Sequence, residues 1–366
     1  MSIRYGVIGS GMMGQEHIRN IHLLPGAEVA AVADLDEGMR KAASALAGPD
    51  TAEFSAVGDL LSADMCDAYV IAAPNDTHHP ILLDAMPGNK PLLIEKPLCT
   101  TSADCRDVIA KANGRTAPIW VAMEYRYMPP VARLLEELET GRAGAPRMMA
   151  IREHRFPFLP KISDWNRFNK RTGGTLVEKC CHFWDLMRLV MKSDPVRVFA
   201  SGAADINHQD EVYDGATPDI LDNAFVVLDF ENGSRGMLDL CMFAEGSYWQ
   251  EVISVTGEHA RLDACVPGPA RFSGNGQERH SELVISDRAT KEVSTEVMEL
   301  DEKILKAGDH HGSTYFQHRD FFQMVRSGGS SPAVTLQDGL WSVAIGEAAE
   351  ESARTGQVIE LDRSLL

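Results

Sequence analysis

A chain of 366 residues is too long for one average domain, so two are expected, and 44% hydrophobic with 24% charged residues supplies enough apolar material for sizeable cores. A formal charge of −18 argues against nonspecific affinity for nucleic acid or anionic membranes, which requires a basic surface. Seven cysteines without a CxxC pair, no signal-type start and no apolar run near the roughly 20 residues that span a bilayer together point to a reduced, cytoplasmic protein.

The first third alternates apolar strands with helical patterns. A strand over Ile3–Ile8 runs straight into Gly9-Ser10-Gly11-Met12-Met13-Gly14 and a helix over Gly14–Leu23. In that context Gly9 permits the tight turn, Gly11 lets the backbone approach a pyrophosphate, and Gly14 lets helix and strand pack closely. The helix start then offers free N–H groups and a partial positive charge to phosphates. The next strand, Glu28–Ala33, ends at Asp34, 20 residues after Gly14, where a carboxylate can bind ribose hydroxyls. Leu35 and Asp36 follow, with no arginine or lysine for a 2′-phosphate, so NAD is favoured over NADP. A plain glycine turn and a helix-capping aspartate are the bland alternatives, and neither accounts for the interval between them.

A helix over Glu37–Leu46 leads to a strand at Ala68–Ala72 and then Ala73-Pro74-Asn75-Asp76-Thr77-His78-His79, with a helix over Pro80–Met86. A strand at Pro91–Ile94 leads into Glu95-Lys96-Pro97-Leu98, a helix over Ser102–Asn113 and a strand at Ile119–Ala122. Strands this apolar, alternating with helices, imply a parallel sheet covered on both faces. Loops at the carboxyl ends of its strands line the ligand crevice. Ala73, Pro74, Asn75, His78, Glu95, Lys96 and Pro97 are therefore candidates for holding the cofactor, with Ser10, Met12 and Met13 in the first turn. Lys96 beside a carboxylate can also orient a substrate hydroxyl and stabilise an alkoxide, although a Glu-Lys pair before proline is more often a solvated turn.

The rhythm changes after Tyr125, which sets the domain division at 1–124 and 125–366. A helix over Pro130–Glu139 and an extended Arg147–Arg155 precede an irregular loop, Pro157–Arg171. Arg152, Arg155, Trp165, Asn166, Arg167 and Arg171 cluster here. Trp165 could stack on a sugar face while Asn166 and Arg167 bond hydroxyls or a carboxylate, and Tyr125 and Arg155 join them as substrate candidates; the alternative is a solvated loop anchored by one tryptophan. Gly173-Gly174 then open a predicted helix over Thr175–Met191. On it Glu178, His182 and Asp185 fall at i, i+4 and i+7, on one stripe. Glu178 can hold the His182 imidazole so that its other nitrogen acts as a general base. Cys180-Cys181-His182 has no second ligand pair at zinc spacing, so no metal is expected.

Seven strand patterns follow: Val196–Ala200, Asp222–Phe230, Arg235–Cys241, Trp249–Thr256, Ala260–Ala264, Glu282–Ser286 and Glu292–Glu299. Several are joined by turn residues, which implies an antiparallel sheet. Helices over Thr314–Arg326 and Leu336–Thr355 close the chain, the last expected to pack back on the first domain. The fold class is thus an α/β Rossmann domain plus an α+β C-terminal domain with a large, mostly antiparallel open sheet.

With GSGMMG, PNDTHH, EKPL and the glycine-led helix ending His182-Phe183-Trp184-Asp185 in this order, the sequence resembles the Gfo/Idh/MocA oxidoreductase family over essentially its whole length. The stretch Thr335–Ser342 resembles that family's final helix entry. The resemblance implies an NAD-dependent dehydrogenase acting on CH–OH groups of a sugar, sugar acid or inositol-like polyol. Lys96 would bind the reacting hydroxyl, His182 would exchange its proton, and Pro97 would shape the nicotinamide loop. The family's aspartate four residues before the histidine is Glu178 here, and its glycine two before the histidine is Cys180. The resemblance also implies a homodimer or homotetramer formed through the broad sheet. A redox-neutral NAD-dependent glycosidase would need the same residues; a non-catalytic NAD sensor would need neither Lys96 nor the Glu178–His182 pair.

Overall fold

The structure, a computed structural model, describes residues 2–272, 276 and 279–362. In chain order it begins β1 (Ile3–Ile8), α1 (Met12–His22), β2 (Ala27–Ala33), α2 (Glu37–Ala47), β3 (Ala52–Phe54) and α3 (Val57–Ser62). Next come β4 (Ala68–Ile71), α4 (His78–Ala85), β5 (Leu92–Ile94), α5 (Ser102–Ala112), β6 (Ile119–Val121), α6 (Pro129–Glu139) and β7 (Pro146–His154). After them lie α7 (Asn169–Thr172), α8 (Thr175–Glu178), α9 (Cys181–Met191), β8 (Pro195–Ala203), β9 (Asn223–Phe230) and β10 (Arg235–Cys241). The chain continues with β11 (Glu251–Gly257), β12 (Ala260–Val266), β13 (Ser281–Asp287), β14 (Val293–Met298), α10 (Glu302–Leu305), α11 (Ser313–Ser327), α12 (Leu336–Thr355) and β15 (Ile359–Glu360).

The chain divides into two compact units, residues 1–124, 161–165 and 301–343 in one, and 125–160, 166–300 and 344–366 in the other. Among the described residues, the first unit holds a six-stranded parallel sheet in the order β3-β2-β1-β4-β5-β6. The β4, β5 and β6 strands are wholly buried, as continuous apolar runs in a doubly covered parallel sheet should be. The order reverses direction between β1 and β4, which puts the crevice at the carboxyl ends of those two strands. Neither β3 nor α3 is foreseen from the sequence: Ala52-Glu53-Phe54 is too short for a period to register.

Among the described residues, the second unit holds a nine-stranded sheet, ordered β14-β13-β12-β11-β7-β10-β9-β8-β15. All its pairs are antiparallel except β7 with β10. Alternating burial along β9 and β10 shows one face covered and one exposed.

One predicted helix is corrected. The stretch Thr175–Met191 is not continuous; it breaks at Lys179-Cys180 between α8 and α9. The Trp184 indole N–H donates to the Leu176 carbonyl at 2.8 Å, the group a regular helix would offer to the Cys180 N–H. The Cys181 thiol takes the Glu178 carbonyl in the same way, at 3.4 Å. Side chains entering the backbone ladder are a known cause of helix interruption.

Candidate active site

In the first unit, the three glycines after β1 do three different things. Gly9 sits at φ +91°, and a Cβ there would lie 2.5 Å from the backbone of Ala72 and Ala73. A Cβ on Gly14 would lie 2.0 Å from the Gly9 carbonyl oxygen. A Cβ on Gly11 would meet nothing within 4 Å, so this backbone faces open space. Gly11 is also the residue before α1, whose first N–H groups no side chain caps among the described residues. Two glycines are therefore required by packing, while the third leaves room for a diphosphate at an uncapped helix start.

At the end of β2, Asp34 accepts from the Ser10 N–H at 2.6 Å and the Asp36 N–H at 2.8 Å. A carboxylate offers about four lone-pair positions, so two remain for ribose hydroxyls. Leu35 is exposed. Arg40, the nearest cation in sequence, donates to the Asp34 carbonyl at 2.7 Å and lies 3.6 Å from Glu53. Asn75 is buried after β4, and its Nδ2 has no protein partner among the described residues. A buried orphan donor on the loop facing the Gly9 turn is what a bound dinucleotide would satisfy, so the residues present fit NAD.

The loop after β5 is held from beneath. Glu95 is buried, and its Oε2 accepts the Lys96 N–H at 3.1 Å while Oε1 lies 2.9 Å from His17 Nε2. Burial opposes its ionisation most strongly, yet His17 and Lys96 bring the carboxyl below its ordinary value. His78 is fully buried with its two ring nitrogens 2.8 Å from the Pro97 carbonyl and 3.0 Å from the Ala73 carbonyl. It ties the two crevice loops together from inside, with burial lowering its pKa. Pro97 is joined to Lys96 by a cis bond, and Lys96 itself is half-buried.

Glu16, Glu124 and His310 bring three ligand-type atoms within 4.8 Å of one another. The His310 ring lies between the carboxylates, 2.7 Å from Glu16 and 3.6 Å from Glu124, and the Thr314 hydroxyl reaches both. The cluster is thus closed by its own hydrogen bonds.

In the second unit, Glu178 ends α8 and His182 is the second residue of α9, both buried, so the pair straddles the helix break. Asp185, expected on their stripe, instead forms a bidentate pair with Arg126 at 2.5 and 2.6 Å. His182 and Asp185 remain one turn apart on α9 and meet the adjacent residues Tyr125 and Arg126, while the break falls between them and Glu178. The His182 imidazole stacks on the Tyr125 ring, with centroids 4.2 Å apart and planes at 12°.

Tyr125, a substrate candidate from the sequence, has its hydroxyl held by two buried side chains. It donates to Glu251 at 3.1 Å and accepts from Lys179 at 2.6 Å. Lys179 also lies 2.8 Å from Glu153, which pairs with Arg155 at 3.1 Å. Glu153 and Glu251 are directly opposed on β7 and β11, both fully buried. Burial, then the neighbouring Glu153, push the Glu251 carboxyl up to about 7. Burial and then Arg155 bring the Lys179 ammonium down. Two facing glutamates in a core need such a cation, because an unbalanced buried charge is costly. The sequence carried half the signal: Met149, Ile151 and Glu153 alternate on one face of β7, which places a glutamate in an apolar row. Its partners lie too far along the chain to be foreseen.

Of the remaining substrate candidates, Arg155 is mostly buried and also lies 4.3 Å over the Phe156 ring. Asn166 donates to the Leu159 carbonyl at 3.0 Å, and Arg167 Nε pairs with Glu211 at 2.8 Å. Both keep unused capacity: Asn166 Oδ1 and Arg167 Nη1 are buried without a protein partner among the described residues. Trp165 is half-buried and belongs to the segment grouped with the first unit.

Residues 3–123 match the family described as "Oxidoreductase family, NAD-binding Rossmann fold", and residues 136–361 match "Oxidoreductase family, C-terminal alpha/beta domain". Inositol 2-dehydrogenase 2 of Saccharopolyspora erythraea is 32% identical over 254 residues, covering 69% of this chain and 70% of the relative. Myo-inositol 2-dehydrogenase of Thermotoga maritima is 25% identical over 360 residues, 98% of this chain and 99% of the relative. A levoglucosan dehydrogenase solved with NADH and levoglucosan shares the fold, with a TM-score of 0.82 at 19% identity, covering 98% of this chain and 99% of that one.

Proposed function

Because this chain belongs to the Gfo/Idh/MocA oxidoreductase family, we propose that this NAD-binding oxidoreductase moves hydride between nicotinamide and a secondary hydroxyl of a sugar, sugar acid or inositol-like polyol. The observation that carries the reading is the anchoring of the Lys96 main chain on a buried Glu95 carboxylate in the unit whose glycine turn fits NAD. A module that only bound the cofactor would have no use for a lysine set on a buried acid in this way. The inositol dehydrogenases among the relatives favour a cyclic polyol.

Bound NAD would supply the hydride acceptor; the remaining chemistry falls to side chains. The Lys96 ammonium hydrogen-bonds the reacting hydroxyl and stabilises the oxygen as negative charge develops on it. A ring nitrogen of His182 takes the hydroxyl proton, with the plane of the ring fixed by its stack on Tyr125. The spare Asn166 Oδ1 and Arg167 Nη1 atoms support polar contacts to a hydroxylated or carboxylated substrate.

Absorbance of NADH should rise when the purified protein is given NAD and one class among inositols, aldoses, sugar acids and glycosides. Lys96→Ala and His182→Ala should each lower turnover by about 100-fold or more while NAD affinity changes little. Full rates in both variants would overturn the roles. Release of an aglycone without net NADH would move the reading to a redox-neutral glycosidase.

The exposed face of the second unit's sheet supports a homo-oligomer. Phe199, Val227 and Met237 form an aligned row across β8, β9 and β10, with Phe225 beside it, all exposed. Sedimentation at micromolar concentration should show a dimer or tetramer; a monomer that persists would remove this proposal.

A further inference from the structure

Beneath the Lys96 loop lies a chain of hydrogen bonds that the reaction as described does not use. His318, on α11, places Nε2 at 2.7 Å from His17 Nδ1, and both rings are fully buried. His17 Nε2 reaches Glu95 Oε1, and Glu95 Oε2 receives the Lys96 main-chain N–H.

The tautomers follow from counting protons. Glu95 accepts only, so His17 Nε2 carries a proton and donates. If His17 were also protonated at Nδ1, His318 would have to carry its own proton on Nδ1. That atom is buried with no protein partner among the described residues. A buried N–H without an acceptor is rarer and costlier than a lone pair without a donor. The consistent arrangement has both rings neutral, with His318 donating to His17 and His17 donating to Glu95. Burial, reinforced by the neighbouring ring, keeps His318 well below the ordinary histidine value, which agrees.

We propose that His318 and His17 are positioning residues for Lys96: they direct two successive N–H donations toward Glu95 and so hold it ionised as the buried counter-ion of the lysine. The other titratable groups around this point are Tyr5 on β1, whose buried ring lies edge-on to His318 and whose phenol burial holds neutral, His78 on α4, Glu16 on α1, Glu124 after β6 and His310 before α11. Burial raises the Glu124 carboxyl, and His310 sits against Glu16. With both imidazoles of the relay neutral, Lys96 is the cation that favours the charged form of Glu95.

The inference rests on Lys96 being the reacting lysine, but its test does not require turnover. In the full-length protein, the rate of reductive methylation of Lys96 is followed against pH by peptide mass spectrometry. Glu95→Gln, which removes the charge, should move the half-maximal pH down by about one unit, and His318→Met, which lacks an N–H donor and leaves the carboxylate less firmly held, by a smaller step of about 0.3 unit in the same direction, with the plateau rate unchanged. His318→Gln, which restores a donor to His17, should behave as wild type. A profile unmoved in His318→Met, or a rise in the plateau alone from a loosened loop, overturns the relay. Should His318→Met fail to fold, an unmoved profile in the isosteric Glu95→Gln overturns it equally. Turnover on the polyol panel is scored separately. Lack of turnover with the shift present sinks the functional reading and leaves the relay standing; turnover without the shift does the reverse.

Discussion

Glycines lead into a helix twice in this chain, and the two helix starts are used in opposite ways. After Gly9, Gly11 and Gly14, α1 begins with no side-chain cap among the described residues and open space at Gly11. After Gly173 and Gly174, at φ +86° and +99°, α8 begins against the Glu350 carboxylate, which accepts the Leu176 N–H at 2.8 Å. A Cβ on Gly174 would strike Glu350 at 2.4 Å. Both starts offer the same unsatisfied donors. The first is left for a ligand's phosphates, and the second is filled by the protein's own acid from α12. A glycine-led helix therefore announces a site for an oxygen acceptor without saying whose oxygen occupies it.

The sharpest way to break this comparison is at the glycines of the first turn. Gly14→Ala, with its methyl driven into the Gly9 carbonyl, should cost about 2 kcal/mol or more of stability and abolish measurable NAD binding. Gly11→Ala should leave the melting temperature unchanged, since the free protein has room for the methyl, while NAD affinity falls at least about tenfold. Paired thermal melts and NAD titrations check both. Equal losses of stability in the two variants would mean that Gly11 is a packing residue and the space beside it is not a diphosphate site.

A smaller effect sharpens the second start. Burial pushes the Glu350 carboxyl up to about 7, against an ordinary 4.5. Between those values the folded protein holds a proton that the unfolded chain releases, so this group's contribution to stability falls as pH rises through the window and stays low above it. Glu350→Gln retains the acceptor for the Leu176 N–H and never ionises. It should match wild type near about pH 5 and exceed it by about 1 kcal/mol near about pH 8, as read from melts at both. A stability difference independent of pH would show that the carboxylate stays charged as an anion at the helix start.

Most of the first unit was legible because its signals are local. The strand–turn–helix around Gly9–Gly14, the interval to Asp34 and the Glu95-Lys96-Pro97 loop depend on neighbours in sequence. The open antiparallel sheet was legible from strand patterns joined by tight turns. The helix over Thr175–Met191 was misread for a local reason that the periodicity concealed. An indole eight residues along takes a backbone carbonyl and interrupts the helix, so Glu178 ends one helix while His182 and Asp185 share the next.

By itself the sequence determined the two-domain α/β and α+β plan, the cofactor turn and the identity of the reacting lysine and histidine candidates, since propensity, periodicity and turn chemistry act over a few residues. Only the tertiary structure decided what surrounds them. His318 meets His17 across 301 positions, Tyr125 is held by Lys179 and Glu251, and Glu350 enters a helix start 174 positions away. These contacts arise because burying a charge or an N–H obliges the fold to find a partner wherever the chain can supply one, and no local pattern specifies where that will be.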